Sequence, residues 1–176
     1  MTHVVLLRGV NVGGHRTFRP AALARELEHL GAVNVGAAGT FVVRKAVAVA
    51  ALRAELARRL PFETEIMICP GREIARLAAR DFFAEHPERD DLVRFVSVLA
   101  RSPRAAPAAP FDLPANGPWR LRVLAREGRY VVGVYRRQMK AIATLGTLDR
   151  VFGVPVTTRN WNTLATLAGI LADRAG

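Results

Sequence analysis

Six residues near the two ends of the chain are of the types that bind and orient small anions: Arg8, Asn11 and His15 at one end, Arg159, Asn160 and Asn162 at the other. A guanidinium forks a carboxylate or phosphate through paired N–H donors, and a carboxamide supplies both a donor and an acceptor. Arg8 follows the apolar run Val4–Leu7, and Gly9, Gly13 and Gly14 surround Asn11. A strand, a glycine-bearing loop and a helix in succession can turn amide hydrogens toward a phosphate. The spacing is neither the dinucleotide fingerprint nor the P-loop, whose Lys and Ser/Thr are missing. The same glycines also serve positive φ angles and close packing, and both readings stand. Arg159-Asn160 is expected where the last helix begins, which would add exposed amides to an anion site. One expectation is a polar cleft in which these groups meet. The other is that Arg8 and the asparagines cap backbone groups and tie the last helix to the first loop.

Other reactive types are sparse. His15 is a candidate acid or base, but no carboxylate neighbours it in sequence. His3, His29 and His86 have no metal-ligand spacing with Cys69, so neither a metal nor a cofactor is implied. No nucleophile–base pair can be assigned. Cys69 ends a strand and reads as a small buried hydrophobe, and Trp161 as a core or interface anchor.

The elements that must position these groups are read from periodicity. Val4–Arg8 is a strand. Arg19–Leu30 is a helix through Leu23, Leu27 and Leu30, with Thr17 as a cap, Pro20 in the first turn and Gly31 as the stop. Val33–Ala37 and Thr40–Arg44 form a hairpin, Val47–Leu60 a helix and Thr64–Cys69 a strand closed by Pro70-Gly71. Strand, helix, strand, strand, helix, strand is the ferredoxin-like βαββαβ unit. Gly71–Arg80 is a helix, Asp81–Asp91 a charged loop and Leu92–Ala100 an apolar strand. Residues 101–118 hold five of the ten prolines and read as an extended crossover. Trp119–Arg126 and Arg129–Arg136 form a second hairpin around Glu127-Gly128. Lys140–Phe152 is a helix, Val154–Thr157 a short strand and Thr158–Ala175 the last helix. The fold class is therefore α+β. Two ferredoxin-like halves, 1–70 and 71–176, are expected, the second degenerate and ending in a helix.

Alternation on the second hairpin puts Trp119, Leu121, Val123 and Ala125 on one side and Arg120, Arg122, Leu124 and Arg126 on the other. With Arg136 and Arg137 this makes a basic surface, which either meets phosphates or guards a sheet edge. It lacks the exposed aromatics of a base-stacking sheet.

The chain has 176 residues, 51% of them hydrophobic, enough to bury a sizeable core. The net charge of +11 invites an anionic partner or a nucleic acid. Its cations, however, are nearly all arginine, with only Lys45 and Lys140 as lysines, and alanine is abundant, the bias a GC-rich genome produces unaided. One cysteine excludes an intrachain disulfide and fits a reducing cytosol. No signal segment and no run long enough to span a bilayer is visible, so a cytoplasmic protein without a membrane partner is expected.

Leu6-Leu7-Arg8-Gly9-Val10-Asn11-Val12-Gly13-Gly14-His15 together with Val156-Thr157-Thr158-Arg159-Asn160-Trp161-Asn162-Thr163 resembles the bacterial family catalogued as domain of unknown function 1697. The resemblance extends through the first helix and its Leu30-Gly31, and to the spacing of elements over nearly the whole chain. It implies a cytoplasmic α+β protein of two ferredoxin-like halves and brings no reaction, cofactor or catalytic residue. Two turns depart from the family pattern. Ala38-Gly39-Thr40 stands where a Ser-Gly-Asn turn is usual, and Arg136-Arg137-Gln138-Met139-Lys140 stands where a glycine-rich turn with Ser-Lys is usual. The leading expectation is a non-catalytic binding protein for an anionic ligand, either nucleic acid or a phosphorylated metabolite. An enzyme acting on a phosphorylated or carboxylated small molecule, clamped by Arg8 and Arg159, and a protein-interaction module are the alternatives.

Overall fold

The structure is a computed structural model that describes residues 1–10, 14 and 17–173; the expectations attached to Asn11, Gly13 and His15 lie outside the described residues. It is a mixed α/β protein with two antiparallel sheets, and it divides into two compact units. The first unit comprises residues 1–79 and 163–176, the second residues 80–162.

In the first unit β1 (His3–Leu7), α1 (Pro20–Glu26), β2 (Ala32–Asn34), β3 (Thr40–Val43), α2 (Val49–Arg59) and β4 (Ile66–Pro70) follow in chain order, with a single 3-10 turn at Glu28–Leu30 after α1. The strand order is β2-β3-β1-β4. Every pairing is antiparallel. Val5, Leu7, Phe41, Val43, Ile66 and Ile68 pack on one face against Leu23, Leu27, Leu52 and Leu56. Val4, Leu6, Val42, Met67 and Cys69, which alternate with them, are equally buried. A strand covered on both faces reads as an unbroken apolar run, which is why β1 is VVLL rather than an alternating pattern. Helix α3 (Gly71–Ala78) lies against β1 and β4, and α6 (Trp161–Ala172) brings Leu164, Leu167 and Leu171 into the core.

His3 sits in β1 opposite Val43 and Pro70, only 4% exposed, and its Nδ1 makes no hydrogen bond among the described residues. Burial pushes its pKa below the ordinary 6.5, and the positive amino terminus pushes the same way. The fold thus holds His3 neutral, while the unfolded chain takes up a proton as the pH falls through 6.5. This contribution to stability is complete above that pH. Below it, stability falls by up to ~1.4 kcal/mol per pH unit until the folded-state pKa is reached. Urea midpoints compared at pH 7 and pH 5.5 should therefore drop for the wild type and much less for His3→Leu; equal drops in both would refute the assignment.

The second unit contains β5 (Leu92–Leu99), β6 (Phe111–Leu113), β7 (Leu121–Glu127), β8 (Tyr130–Arg136), α4 (Met139–Leu145), α5 (Leu148–Phe152) and β9 (Val156–Asn160), with strand order β6-β7-β8-β5-β9. Phe95, Leu99, Leu121, Val123, Val131, Leu148 and Phe152 form its core. Burying each such side chain is worth roughly 1.5–3 kcal/mol. An exposed ion pair adds only about 0–1 kcal/mol, so this cluster, not the surface arginines, holds the unit together.

Three expectations are corrected here. The crossover 101–118 contains a strand, β6, whose three residues lie between Pro110 and Pro114 and pair with β7, Asp112 opposite Arg122. Prolines at the ends of an edge strand remove no ladder hydrogen bond that the sheet needs. The helix expected over Lys140–Phe152 is two, α4 and α5, interrupted at Gly146-Thr147. The last helix begins at Trp161, not Thr158, because Thr157, Thr158 and Arg159 continue β9 along β5.

Candidate functional site

The residues singled out by sequence are placed as follows. Arg8 follows β1 in the first unit. Its amide donates to the Glu65 carbonyl at 3.1 Å, and its own carbonyl accepts the Thr64 hydroxyl, so its backbone joins the first loop to the approach of β4. Arg159, Asn160 and Asn162 belong to the second unit. Arg159 is a buried strand residue. Its guanidinium donates to Thr157 Oγ1 at 2.8 Å and to the Thr158 carbonyl at 3.0 Å, and desolvation pulls its pKa down to about 10. Asn160 ends β9 and its Oδ1 accepts the Asn162 amide at 2.9 Å, which caps the start of α6.

Asn160 and Asn162 line a hollow of about 420 Å³. It lies at the end of the second sheet where β5 begins and where β8 and β9, both antiparallel to β5, finish. Arg94 and Arg137 line it as well, with the loop residues 86–90 along one side and Leu92, Val93 and Val134 giving it apolar surface. Arg94 is the third residue of the mostly apolar strand β5, paired with Val134. Its guanidinium lies 4.8 Å over the Phe83 ring, and that ring meets Trp161 edge-on at 4.9 Å. One terminal nitrogen donates to the His86 carbonyl at 2.9 Å, and the other is 3.6 Å from Glu88. The buried Nε has no hydrogen-bond partner among the described residues. Arg137 is steered by its Nε, which donates to the Asp90 carbonyl at 2.9 Å, and by its amide on the Asp91 carbonyl. Arg89, the third arginine of the hollow, is spent on Asp91 through two bonds of 2.8 Å. Two guanidiniums held by loop carbonyls beside a carboxamide can orient an anion by direct N–H bonds.

Sequence reasoning missed Arg94 and read Asp81–Asp91 only as a charged loop. The available signal was the arginine inside the mostly apolar run Leu92–Leu99.

The hairpin arginines are differently employed. Arg122 forms a paired contact with Asp112 at 2.6 and 2.9 Å; the bond holds the Asp112 carboxyl below its usual range and raises the guanidinium. Arg136 donates to the Trp119 carbonyl. Both guanidiniums stack on the Trp119 ring, at 4.5 and 4.1 Å. Trp119 thus sits with the arginines rather than on the side of Leu121 and Val123. It precedes β7, so strand alternation does not reach it, and a bulge between Val123 and Ala125 shifts the register beyond.

Among the described residues no group of three His, Cys, Asp or Glu side chains could hold a metal, and no helix is long and apolar enough to cross a membrane. Cys69 is buried.

A family model described as "Protein of unknown function (DUF1697)" matches residues 1–127. The solved structure of a conserved bacterial protein from Streptococcus pneumoniae is similar in fold, with a TM-score of 0.64 at 16% sequence identity, covering 97% of this chain and 98% of that one. Among curated proteins none matches the chain.

Proposed function

The chain belongs to this family of unknown function, whose model spans residues 1–127, and we propose from the geometry that it binds a small anionic molecule in the hollow at the end of the second sheet. The observation that carries this reading is Arg137. Its position is fixed by the Asp90 carbonyl, yet its two terminal nitrogens make no hydrogen bond or ion pair among the described residues. Arg94 and Asn160 stand on the same hollow as further donors. The reading favours a small ligand over a nucleic acid because Arg122 and Arg136 of the hairpin are occupied by Asp112, by the Trp119 carbonyl and by the Trp119 ring. The proposal rests on the second unit alone; Arg8, Asn11 and His15 are not needed for it.

The test is a thermal-shift titration of the whole chain with small carboxylates, inorganic phosphate and short RNA at two salt levels. A pocket ligand raises Tm saturably. Arg137→Ala should weaken that ligand by about tenfold to a hundredfold, the scale of a lost charge-assisted hydrogen bond. A shift produced only by RNA, falling steeply with salt, would replace the reading with a nucleic-acid surface.

The strand orders of the two sheets support a reading of the fold's history. Matching β5, β7, β8 and β9 to β1, β2, β3 and β4 gives the order β7-β8-β5-β9 beside β2-β3-β1-β4, with β6 added at one edge. That correspondence favours two ferredoxin-like copies, residues 1–70 and 71–176, the second having lost its first helix to the proline-rich crossover. A single buried thiol suits a reducing, cytoplasmic setting.

A further inference from the structure

Resting on the anion-binding reading, we propose that the ligand of this hollow carries a carboxylate, and that Glu88 is the tethered carboxylate that holds its place at Arg94 while the site is empty.

The two partners of the Arg94–Glu88 contact are unequally fixed. Arg94 is clamped by the Phe83 ring beneath it and by the His86 carbonyl beside it. Glu88 is 83% exposed, and its one ion pair among the described residues is the 3.6 Å approach to Arg94. That separation is well beyond the ~2.7–2.9 Å of a charge-assisted hydrogen bond, so a ligand oxygen that closes the gap gains what Glu88 does not. The neighbouring acids are not equivalent. Asp91 is locked in its paired contact with Arg89, and Asp90 offers Arg137 its carbonyl oxygen. Glu88 can swing out without breaking a hydrogen bond among the described residues.

The charges around the hollow select the ligand. With Arg89 neutralised by Asp91, Arg94 and Arg137 share the lining of the hollow with Glu88 and Asp90. A phosphate dianion would bring two charges toward two acids. A carboxylate brings one, in the planar form that a guanidinium forks, and displacing Glu88 restores the balance its own charge had set. The amide of Asn160 and the half-buried side chain of Leu92 would meet the rest of the molecule.

Isothermal titration of the full chain with succinate, acetate, citrate and inorganic phosphate tests this in the wild type and in Glu88→Gln, Arg137→Ala and Glu85→Gln. Glu85 lies in the same loop outside the hollow and serves as control, and circular dichroism melts confirm that each variant folds. Glu88→Gln should bind the best carboxylate about twofold to fivefold tighter, the range an exposed ion pair supports. Glu85→Gln should leave affinity unchanged, and phosphate should bind more weakly than acetate, which brings a single charge. If Arg137→Ala weakens carboxylate binding but Glu88→Gln does not tighten it, or if phosphate binds tightest, this inference falls and the anion site stands. If the wild type and Glu88→Gln bind no probe, or Arg137→Ala binds as the wild type does, the anion site falls and this inference with it.

Discussion

Gly133→Ala should destabilise the second unit by about 3 kcal/mol or more, at the upper end of what overpacking a core costs. Gly133 lies in β8 between Val123 of β7 and Phe95 of β5. A Cβ built there would stand 2.2 Å from the Arg122 carbonyl oxygen and 2.8 Å from two carbons of the Phe95 ring. The ring is a fully buried side chain packed against Tyr135, with nowhere to go. The carbonyl belongs to β7 beside its bulge and can move only with the strand. The backbone contact is the shorter, so Phe95→Leu should not rescue the variant and should add a cavity cost of its own. Trp119 and Trp161 are the two tryptophans of the chain and both lie in this unit, so their fluorescence follows its unfolding in urea. A melting temperature lower by roughly 6–12 °C corresponds to this loss for a chain of this size. A shift of under about 1 kcal/mol would mean that β7 and β8 are not spaced as described.

Why some of this was readable in the sequence and some not follows from the range of the interactions. β1 was legible because Val4–Leu7 is apolar throughout, and burial on both faces allows nothing else. α2 was legible because Leu52 and Leu56 share a stripe that faces the sheet. β6 was not, because Phe111–Leu113 is too short to carry a period. What makes it a strand is a partner ten residues on, through the Asp112–Arg122 pair, and the contact of Phe111 with Phe152. The end of β9 was misplaced for a related reason. Thr158 and Arg159 suit a helix start by composition, but Thr158 bonds Ser97 across the ladder at 2.6 Å and Arg159 folds back on its own strand. The candidate site was legible in part. Asn160 and Asn162, which line the hollow, stood out by their types. Arg94 and the carbonyls of the loop 81–91 that hold the arginines in place were not, since a backbone acceptor leaves no mark on residue type.

Gly39→Ala and Gly36→Ala form the second large prediction, as a pair whose difference is the result. Both glycines lie in the connection between β2 and β3, and both have left-handed backbone, with φ of 78° and 74°. Strain alone would therefore cost the two alanines the same, about 1–2 kcal/mol. Their surroundings differ. A Cβ at Gly36 meets nothing within 4 Å, whereas one at Gly39 would lie 2.8 Å from Val10 Cγ2 and 2.9 Å from Leu7 Cβ. Leu7 cannot retreat: it is fully buried in the first core, and its amide donates to the Gly39 carbonyl at 2.8 Å. Gly39→Ala should thus add an overpacking cost of ~1–3 kcal/mol to the strain and loosen the pairing of β1 with β3. Chemical denaturation followed by circular dichroism should place Gly39→Ala well below Gly36→Ala in stability. Faster hydrogen exchange at the Leu7 and Phe41 amides should locate the damage in the first sheet. Equal losses in the two variants would mean that the backbone conformation, and not the contact with Leu7 and Val10, is what requires glycine at position 39.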